Sequence, residues 1–269
     1  MAFIRFRRRS TFSSYQKPLK YYQDLLKCLV DREIKLLYKR SFLGIAWTLI
    51  NPLLQLAVFI FIFQVVLPVD VPQYSSFVFT GLLVWTWFQN SLFQATGVII
   101  ANISLIRQPG FPVAILPVVI VTTGLIHFTL ALPILLLFLI FDGAIFSIHL
   151  LWVPALQLIQ FLLIITLAYF LASLNVKFRD TQHTLGVVLQ LLFYLTPIFY
   201  EVESIPLGYK SLYYLNPLVH LVSSYRNILM YGESPNLLNL MIVTLMIGLF
   251  LPIGYRLFKE KSYSFVEEL

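Results

Sequence analysis

Charged residues are scarce in this sequence. Of its 269 residues, 12% are charged and 59% are hydrophobic, whereas a water-soluble domain carries about 25% charged residues. So few charged side chains cannot cover a surface that faces water, which excludes an ordinary soluble domain. We therefore expect much of the chain to lie in a membrane.

Cysteine is nearly absent, and so are the motifs of several enzyme classes. Cys28 is the single cysteine, which excludes an intrachain disulfide and a thiolate metal site. No lysine follows a glycine, so there is no GxxxxGK[ST] loop for ATP phosphates. The four histidines lack metal-ligand spacing, and no HExxH occurs. We therefore predict a non-enzyme without catalytic residues, metal or cofactor.

Six long stretches contain no Asp, Glu, Lys or Arg. They are residues 41–69, 71–106, 108–141, 143–176, 181–200 and 234–255. Each is long enough for the about 20 helical residues that cross a bilayer, and none alternates like a barrel strand. The sequence predicts an all-α membrane protein with one transmembrane domain, residues 21–261, and six transmembrane helices. Their predicted positions are residues 42–67, 77–101, 114–140, 150–174, 184–199 and 237–258.

Ionisable side chains at membrane depth are almost missing too. Intramembrane enzymes and ion-coupled carriers place such groups there, whereas His127 is the one such group well inside a predicted span, because His149 and His183 lie just before the starts of two spans. This weighs against both classes. We expect His127 to be a hydrogen-bonded residue between helices rather than a proton relay.

The basic residues that are present predict the orientation. The net charge is +7, and all of the 19 lysines and arginines except Lys210 and Arg226 share one side if both termini are cytoplasmic. The sequence thus predicts a multi-pass protein of the bacterial inner membrane.

Residues 1–20 are predicted to form a basic cytoplasmic tail without a signal-peptide core, and residues 262–269 are predicted to form a second tail. Because the charges flank apolar runs, nucleic acid is not an expected partner.

An amphipathic helix is predicted at residues 21–40, before the first span. Its apolar face, at helical spacing, comprises Tyr22, Leu25, Leu26, Leu29, Leu36 and Leu37. Glu33 interrupts that face. Either Glu33 reaches the lipid headgroups or pairs with Arg40, or this face meets another protein; the residues favour neither.

Two further segments are not simple spans. Pro109-Gly110-Phe111-Pro112 breaks any helix, so residues 102–117 are either a short helix that transmits movement between spans or a plain turn. Residues 201–233 are too polar to span and too apolar for a solvated loop. We expect two short helices that enter the outer leaflet and return, which makes them a candidate lid over a pathway.

Several blocks, in order along residues 22–261, resemble one family. They are residues 31–44, Trp47, 51–54, 105–107, 111–112, 116–117, 174–180, 182–183, 194–200, 216–218 and 225–226. The pattern resembles the ABC-2 type permeases of polysaccharide exporters, which move lipid-linked O-antigen, capsule or teichoic acid chains. The chain departs from many relatives at Val113-Ala114-Ile115, where they carry charged residues.

The resemblance implies a homodimer that works with two copies of a separate ATP-binding subunit, which holds ATP and Mg²⁺. It implies ATPase contacts in residues 24–40 and 102–108 and an external gate in residues 201–231. The ATPase-contact candidates are Glu33, Arg40, Asn102, Ser104, Arg107 and Gln108. The external gate candidates are Pro206, Tyr213, Tyr214, Asn216, Pro217 and Arg226.

Two sets of candidates concern the cargo and the lipid. Aromatic side chains suit the apolar C–H faces of sugars, although most aromatic residues fill helix packing. The substrate-path candidates are Trp85, Trp87, Phe88, Tyr194, Phe199 and Tyr200. Lys177, Arg179 and Asp180 follow the fourth span, where they form a structural ion pair or contact the ATPase or a lipid diphosphate.

The expected function is the permease subunit of an ABC exporter for lipid-linked polysaccharide, with membrane lipid around it. An ABC-2 exporter of small hydrophobic compounds or lipids is the nearer alternative. A membrane enzyme of glycan assembly is the more distant one.

Overall fold

The structure is a computed structural model that describes residues 19–144 and 146–268. This part of the chain is helical and contains no β-strand, which confirms the predicted all-α class. The helices are α1 (Leu19–Tyr38), α2 (Trp47–Ile60), α3 (Tyr74–Ala101), α4 (Ile103–Ile106), α5 (Ile115–Phe141), α6 (Val153–Lys177), α7 (Asp180–Leu195), α8 (Leu207–Tyr214), α9 (Pro217–Leu229), α10 (Leu237–Ser262) and α11 (Phe265–Glu268). Short 3₁₀ or π turns occupy Gly44–Ala46, Phe61–Val66, Ile148–Trp152 and Val202–Ser204. Most of the predicted basic tail lies outside the described residues.

Four helical segments are long and apolar enough to cross a membrane. They are Gly44–Val66, Ile115–Phe141, Ile148–Lys177 and Leu237–Ser262. They coincide with the predicted first, third, fourth and sixth spans. The other two predicted spans correspond to α3, which is long but more polar, and to α7. With 16 residues, α7 is about 24 Å long, less than the hydrocarbon core of about 30 Å. The count of six spans therefore stays a prediction.

Helix α3 is the centre of the molecule. It packs against α2, α5, α6, α7 and α9, and most of its side chains are buried. Helices α3 and α5 approach closely at Gly124, where a Cβ atom would stand 2.7 Å from Cδ1 of Trp87. Gln160 of α6 donates a hydrogen bond to the Val84 carbonyl of α3 over 2.9 Å. Through these contacts, α3 is the central helix against which the other helices pack.

Helix α1 packs on protein along half of its predicted apolar face. Leu29 and Val30 are buried against Ile115 and Val119 of α5. Three members of the predicted face instead remain exposed: Tyr22, Leu36 and Leu37. The α5 helix and the turn before it cover only the neighbouring part of α1, so the rest of the apolar face stays open to the membrane interface or to another protein.

The two other unusual segments have the predicted local structure. Helix α4 is a single short turn that is followed by a break, and Gly110 there adopts a left-handed φ of 73°. The segment 201–233 contains α8 and α9, which begin after Pro206 and Asn216. Two short helices are thus confirmed, whereas their entry into a leaflet stays a prediction.

Candidate functional site

A groove between α2, α3 and α7 is formed by residues of the uncharged stretches and is lined by several polar side chains. Its volume is about 740 Å³. Amide side chains from three helices line it: Asn51, Gln55, Gln89, Asn90 and Gln190. Gln55 is the middle residue of the apolar segment Gly44–Val66, where an amide facing lipid would be costly. The groove therefore faces something more polar than lipid tails.

Aromatic rings form the other part of the groove wall. Trp85, Phe59, Phe193 and Tyr194 line it together with the amides. The rings of Trp85 and Phe193 meet edge to face with centroids 5.6 Å apart. Trp85 donates its indole N–H to Oε1 of Gln89, which fixes this amide one helical turn along α3. The wall thus combines ring faces with oriented polar groups.

The structure brings some of the predicted path residues to this groove and not others. Trp85 and Tyr194 line it. Trp85 reaches the groove with little of its surface, because it is 2% exposed. Trp87 and Phe88 are equally buried and do not line the groove, and the Trp87 indole donates to the Val121 carbonyl over 3.3 Å. Phe199 stacks on Phe59 with centroids 5.2 Å apart, beside the groove. Tyr200 lies in the turn that follows.

The five amides were missed by the sequence analysis, although a signal was present. They are polar residues inside uncharged stretches that otherwise consist mainly of Leu, Ile, Val and Phe. A search for polar residues at membrane depth would have found them. Their convergence on one groove could not be seen, because it depends on how α2, α3 and α7 pack.

A buried arginine links three parts of the chain at one end of the helix assembly. Arg226 of α9 is 4% exposed and donates hydrogen bonds to the carbonyls of Phe77, Pro197 and Ile198 over 2.7 to 3.3 Å. Its guanidinium carbon lies 3.4 Å from the centre of the Phe77 ring. Gly81 leaves room for this contact, since a Cβ there would stand 3.0 Å from Nη2. Arg226 thus joins α9 to α3 and to the segment after α7.

The other predicted gate residues lie around this junction. Asn216 caps α9 and donates from Nδ2 to the Thr196 hydroxyl over 3.0 Å. The Tyr200 hydroxyl lies 3.3 Å from that of Tyr213. The remaining three, at the ends of α8 and α9, are Pro206, Tyr214 and Pro217. Residues 196–200 therefore connect the groove helix α7 with α8 and α9.

The opposite end of the molecule is joined by contacts from α1. Nη1 of Arg32 donates to Oδ1 of Asn102 over 3.2 Å, which links α1 to the turn after α3. The Tyr38 hydroxyl lies 3.1 Å from Nε2 of His127 in α5. The expectation of a hydrogen-bonded His127 between helices is therefore confirmed. The two hydrogen bonds attach α1 to the turn after α3 and to α5.

Glu33 does not form the ion pair with Arg40 that was one of the alternatives from the sequence. Within the described residues, no salt bridge joins it to Arg40, which is exposed in a left-handed conformation. Burial raises the pKa of Glu33, and the nearby Arg32 lowers it in part. The half-buried carboxyl is thus held without a charged partner at the edge of the α1–α5 contact.

The remaining predicted ATPase-contact residues lie at the surface near α1. Ser104, Arg107 and Gln108 are exposed in and after α4. Arg107 and Gln108 also line a cavity of about 840 Å³ between α1, the turn and α10. The surface is therefore accessible to a second protein.

The predicted ion pair after the fourth span does not form among the described residues. Arg179 and Asp180 are exposed and no salt bridge joins them. Asp180 begins α7, where its charge suits the helix dipole. The Lys177 ammonium lies 5.5 Å from the centre of the Phe178 ring. These three side chains are thus available to solvent, to headgroups or to a partner.

Comparison with known proteins identifies the family. Residues 24–230 match the family model described as ABC-2 type transporter. The chain is 34% identical over 255 residues to the O-antigen export system permease protein RfbA of Myxococcus xanthus, covering 94% of this chain and 98% of that protein. It is 31% identical to a protein of the same name from Klebsiella pneumoniae over 93% of this chain and 97% of that protein. It is 29% identical to the polysialic acid transport protein KpsM of Escherichia coli over 83% and 90%.

The model match covers most of the chain, and two of these relatives exceed 30% identity over nearly their whole length. The resemblance carried by the sequence blocks is thereby confirmed. The chain belongs to the ABC-2 type transporter family, whose members are membrane subunits of transporters.

Proposed function

We propose that this chain is the permease subunit of an ABC exporter that moves a lipid-linked polysaccharide across the inner membrane. The names of its relatives, for O-antigen export and polysialic acid transport, support a glycan as cargo. The single observation that carries the proposal is the groove between α2, α3 and α7. Its amides and aromatic rings suit a polar polymer with apolar C–H faces, in a chain that exposes many large apolar side chains elsewhere.

Energy comes from a separate ATP-binding subunit in this proposal. Two copies of that subunit, with ATP and Mg²⁺, act on two copies of the permease. They contact α1 and the turn after α3, where Glu33, Arg40, Ser104, Arg107 and Gln108 are available. The Arg32–Asn102 and Tyr38–His127 hydrogen bonds then pass the movement to α3 and α5.

The proposed topology completes the six spans with α3 and α7. Both termini face the cytoplasm, in agreement with the distribution of basic residues. Helices α8 and α9 form the re-entrant pair on the outer side and gate the path near residues 196–200. Their junction with the groove helices, through Arg226 and Asn216, supports this role.

The test is deletion of the gene, followed by gel analysis of surface and intracellular polysaccharide. We expect a surface glycan to disappear and a lipid-linked polymer to accumulate inside the cell. Restoring the wild-type gene should reverse both effects. An unchanged surface glycan would instead indicate an exporter of small hydrophobic compounds or lipids. Loss of the glycan without internal accumulation would indicate an enzyme of glycan assembly.

A further inference from the structure

The five groove amides have no evident task within the folded chain. Among the described residues, Asn51, Gln55, Asn90 and Gln190 make no side-chain hydrogen bond, and Gln89 accepts one from Trp85. A buried or lipid-facing amide without a partner costs free energy. Four unpaired amides on three helices, all directed into one groove, indicate that the groove holds a ligand or pore water rich in hydrogen-bonding groups.

Amides match one kind of ligand group particularly well. Each amide offers two N–H donors and a carbonyl acceptor, and a hydroxyl group both donates and accepts. A sugar hydroxyl can therefore bond to an amide in either direction, at any position along a repeating chain. Tyr194, which is 57% exposed, supplies a ring face for the C–H surfaces of the same sugars, whereas Trp85 is buried and fixes Gln89.

Charge is the property that the groove lacks. Its lining contains no Asp, Glu, Lys, Arg or His, and the stretches that form it, residues 41–69, 71–106 and 181–200, contain no Asp, Glu, Lys or Arg. An anionic polymer crossing this groove would lose water without gaining a cationic partner, which is costly for each charge. A neutral polymer carries no such cost.

From these observations we infer that the groove selects an uncharged glycan, and that Asn51, Gln55, Gln89, Asn90 and Gln190 determine this specificity. The inference rests on the proposed function, because it assigns the class of the exported chain. It separates neutral polysaccharides from acidic ones that contain sialic acid, uronic acid or phosphate in their repeats.

The first experiment is analysis of the polymer that disappears when the gene is deleted. The polymer is purified from wild-type cells, delipidated, passed over an anion exchanger and analysed for acidic sugars and phosphate. We expect its repeating chain to pass unretained and to contain neither. An acidic group in every repeat would overturn the inference while leaving the proposed function intact. If no polymer disappears, the proposed function fails first, and the inference fails with it.

The second experiment tests the amides themselves in complemented deletion cells. Gln55→Leu and Gln190→Leu each replace a groove amide by an apolar side chain of similar volume. We expect each variant to reduce the amount of surface polymer about fivefold and to accumulate polymer inside the cell. The control is Gln94→Leu, because Gln94 is an exposed amide of α3 that does not line the groove. Its export should equal that of the wild type.

Protein amount and subunit association are measured in the same cells by immunoblotting and chemical cross-linking. We expect both to be unchanged in the groove variants. Equal losses of export in Gln94→Leu would overturn the role of the groove. Loss of cross-linked dimer in Gln55→Leu and Gln190→Leu would also overturn it, since the amides would then bind a second copy of the chain rather than a glycan.

Discussion

Arg226 is a charged residue that the protein satisfies with backbone carbonyls rather than with a carboxylate. It uses the carbonyls of Phe77, Pro197 and Ile198, which lie in or beside helices of different parts of the chain. A guanidinium can reach three carbonyls at once because its N–H groups point outward in a plane. Buried charge of this kind stabilises a junction only while every donor is paired.

Replacement of Arg226 by lysine should therefore destabilise the permease although the charge is kept. An ammonium cannot reach all three carbonyls, so at least one buried carbonyl loses its partner. We expect the free energy of unfolding to fall by about 2 kcal/mol or more. Thermal unfolding of the purified protein in detergent, followed by intrinsic fluorescence, measures this.

The matched control is Arg256→Lys, because Arg256 is exposed and forms an ion pair with Glu260 on the surface of α10. Such pairs contribute about 0.5 kcal/mol, so its unfolding temperature should hardly change. Equal stability of the Arg226→Lys variant and the wild type would contradict the role assigned to this junction.

Glu33 predicts a pH dependence at the α1–α5 contact. Burial raises its pKa in the folded protein, so the folded state favours the protonated form. Stability attributable to this group is present below the unfolded pKa of about 4.3 and is lost as the pH rises towards the folded value. We expect Glu33→Gln to unfold at a higher temperature than the wild type at pH 7, with no difference near pH 4.

The control for that experiment is Asp24→Asn in the same helix, where the side chain is exposed. It should follow the wild type at both pH values. A Glu33→Gln variant that is less stable at pH 7 would mean that the carboxylate has a cationic partner within the permease.

At the scale of helices, the close approach of α3 and α5 depends on one missing side chain. A Cβ at Gly124 would overlap the Ser91 hydroxyl and would lie 2.7 Å from Cδ1 of Trp87. We expect Gly124→Ala to lower the free energy of unfolding by about 1–3 kcal/mol through overpacking. Gly248→Ala in α10 is the control, since nothing lies within 4 Å of its Cβ position.

The control variant should be neutral or slightly more stable, because alanine is the better helix residue. The two variants are compared by heating membranes and measuring the fraction that remains monodisperse in detergent. If Gly124→Ala tolerates heat as well as Gly248→Ala, the two helices are less closely packed than the structure indicates.

Elements with a local signal could be predicted from the sequence. The helices lie near the uncharged stretches, the break at Pro109-Gly110 follows from the backbone of these residues, and α8 and α9 begin where Pro206 and Asn216 suggested. What could not be predicted depends on which helix faces which. The exposure of Leu36 and Leu37 on α1 reflects the limited width of the α5 contact, which the periodicity of α1 does not encode.

The candidate site shows the same division. The aromatic residues at the groove could be proposed in part, because Trp85 and Tyr194 were chosen for their chemistry. The groove amides could have been found as polar residues in apolar runs, but their convergence could not, since an amide in such a run gives no indication of its neighbours. Arg226 was expected at a gate because the family resemblance implied one in residues 201–231. Its burial arises from the carbonyls of residues 77, 197 and 198, which are distant in sequence.

At the scale of the whole molecule, the single cysteine provides a test of orientation. Cys28 is exposed on α1, on the side predicted to be cytoplasmic. We expect a membrane-impermeant maleimide to leave it unlabelled in spheroplasts with intact inner membranes and to label it in inside-out vesicles. Moving the cysteine to α8, as Cys28→Ser with Ser211→Cys, should reverse the pattern, because Ser211 is exposed on the side that is predicted to be outer.

Mass spectrometry or a gel shift reads the labelling in both preparations. Labelling of Cys28 in sealed, correctly oriented spheroplasts would contradict the predicted topology, whatever the Ser211→Cys variant does.

The arginine junction also has a consequence for the order in which the chain is assembled during synthesis. Every carbonyl that receives Arg226 belongs to a residue synthesised before it. An unpaired guanidinium in hydrocarbon has a high free-energy cost. Helix α9 is therefore expected to dock only after α3 and the end of α7 have inserted side by side. We therefore expect docking of α9 to be a late step of assembly, which a nascent chain with a misplaced α3 cannot complete without an unsatisfied cation.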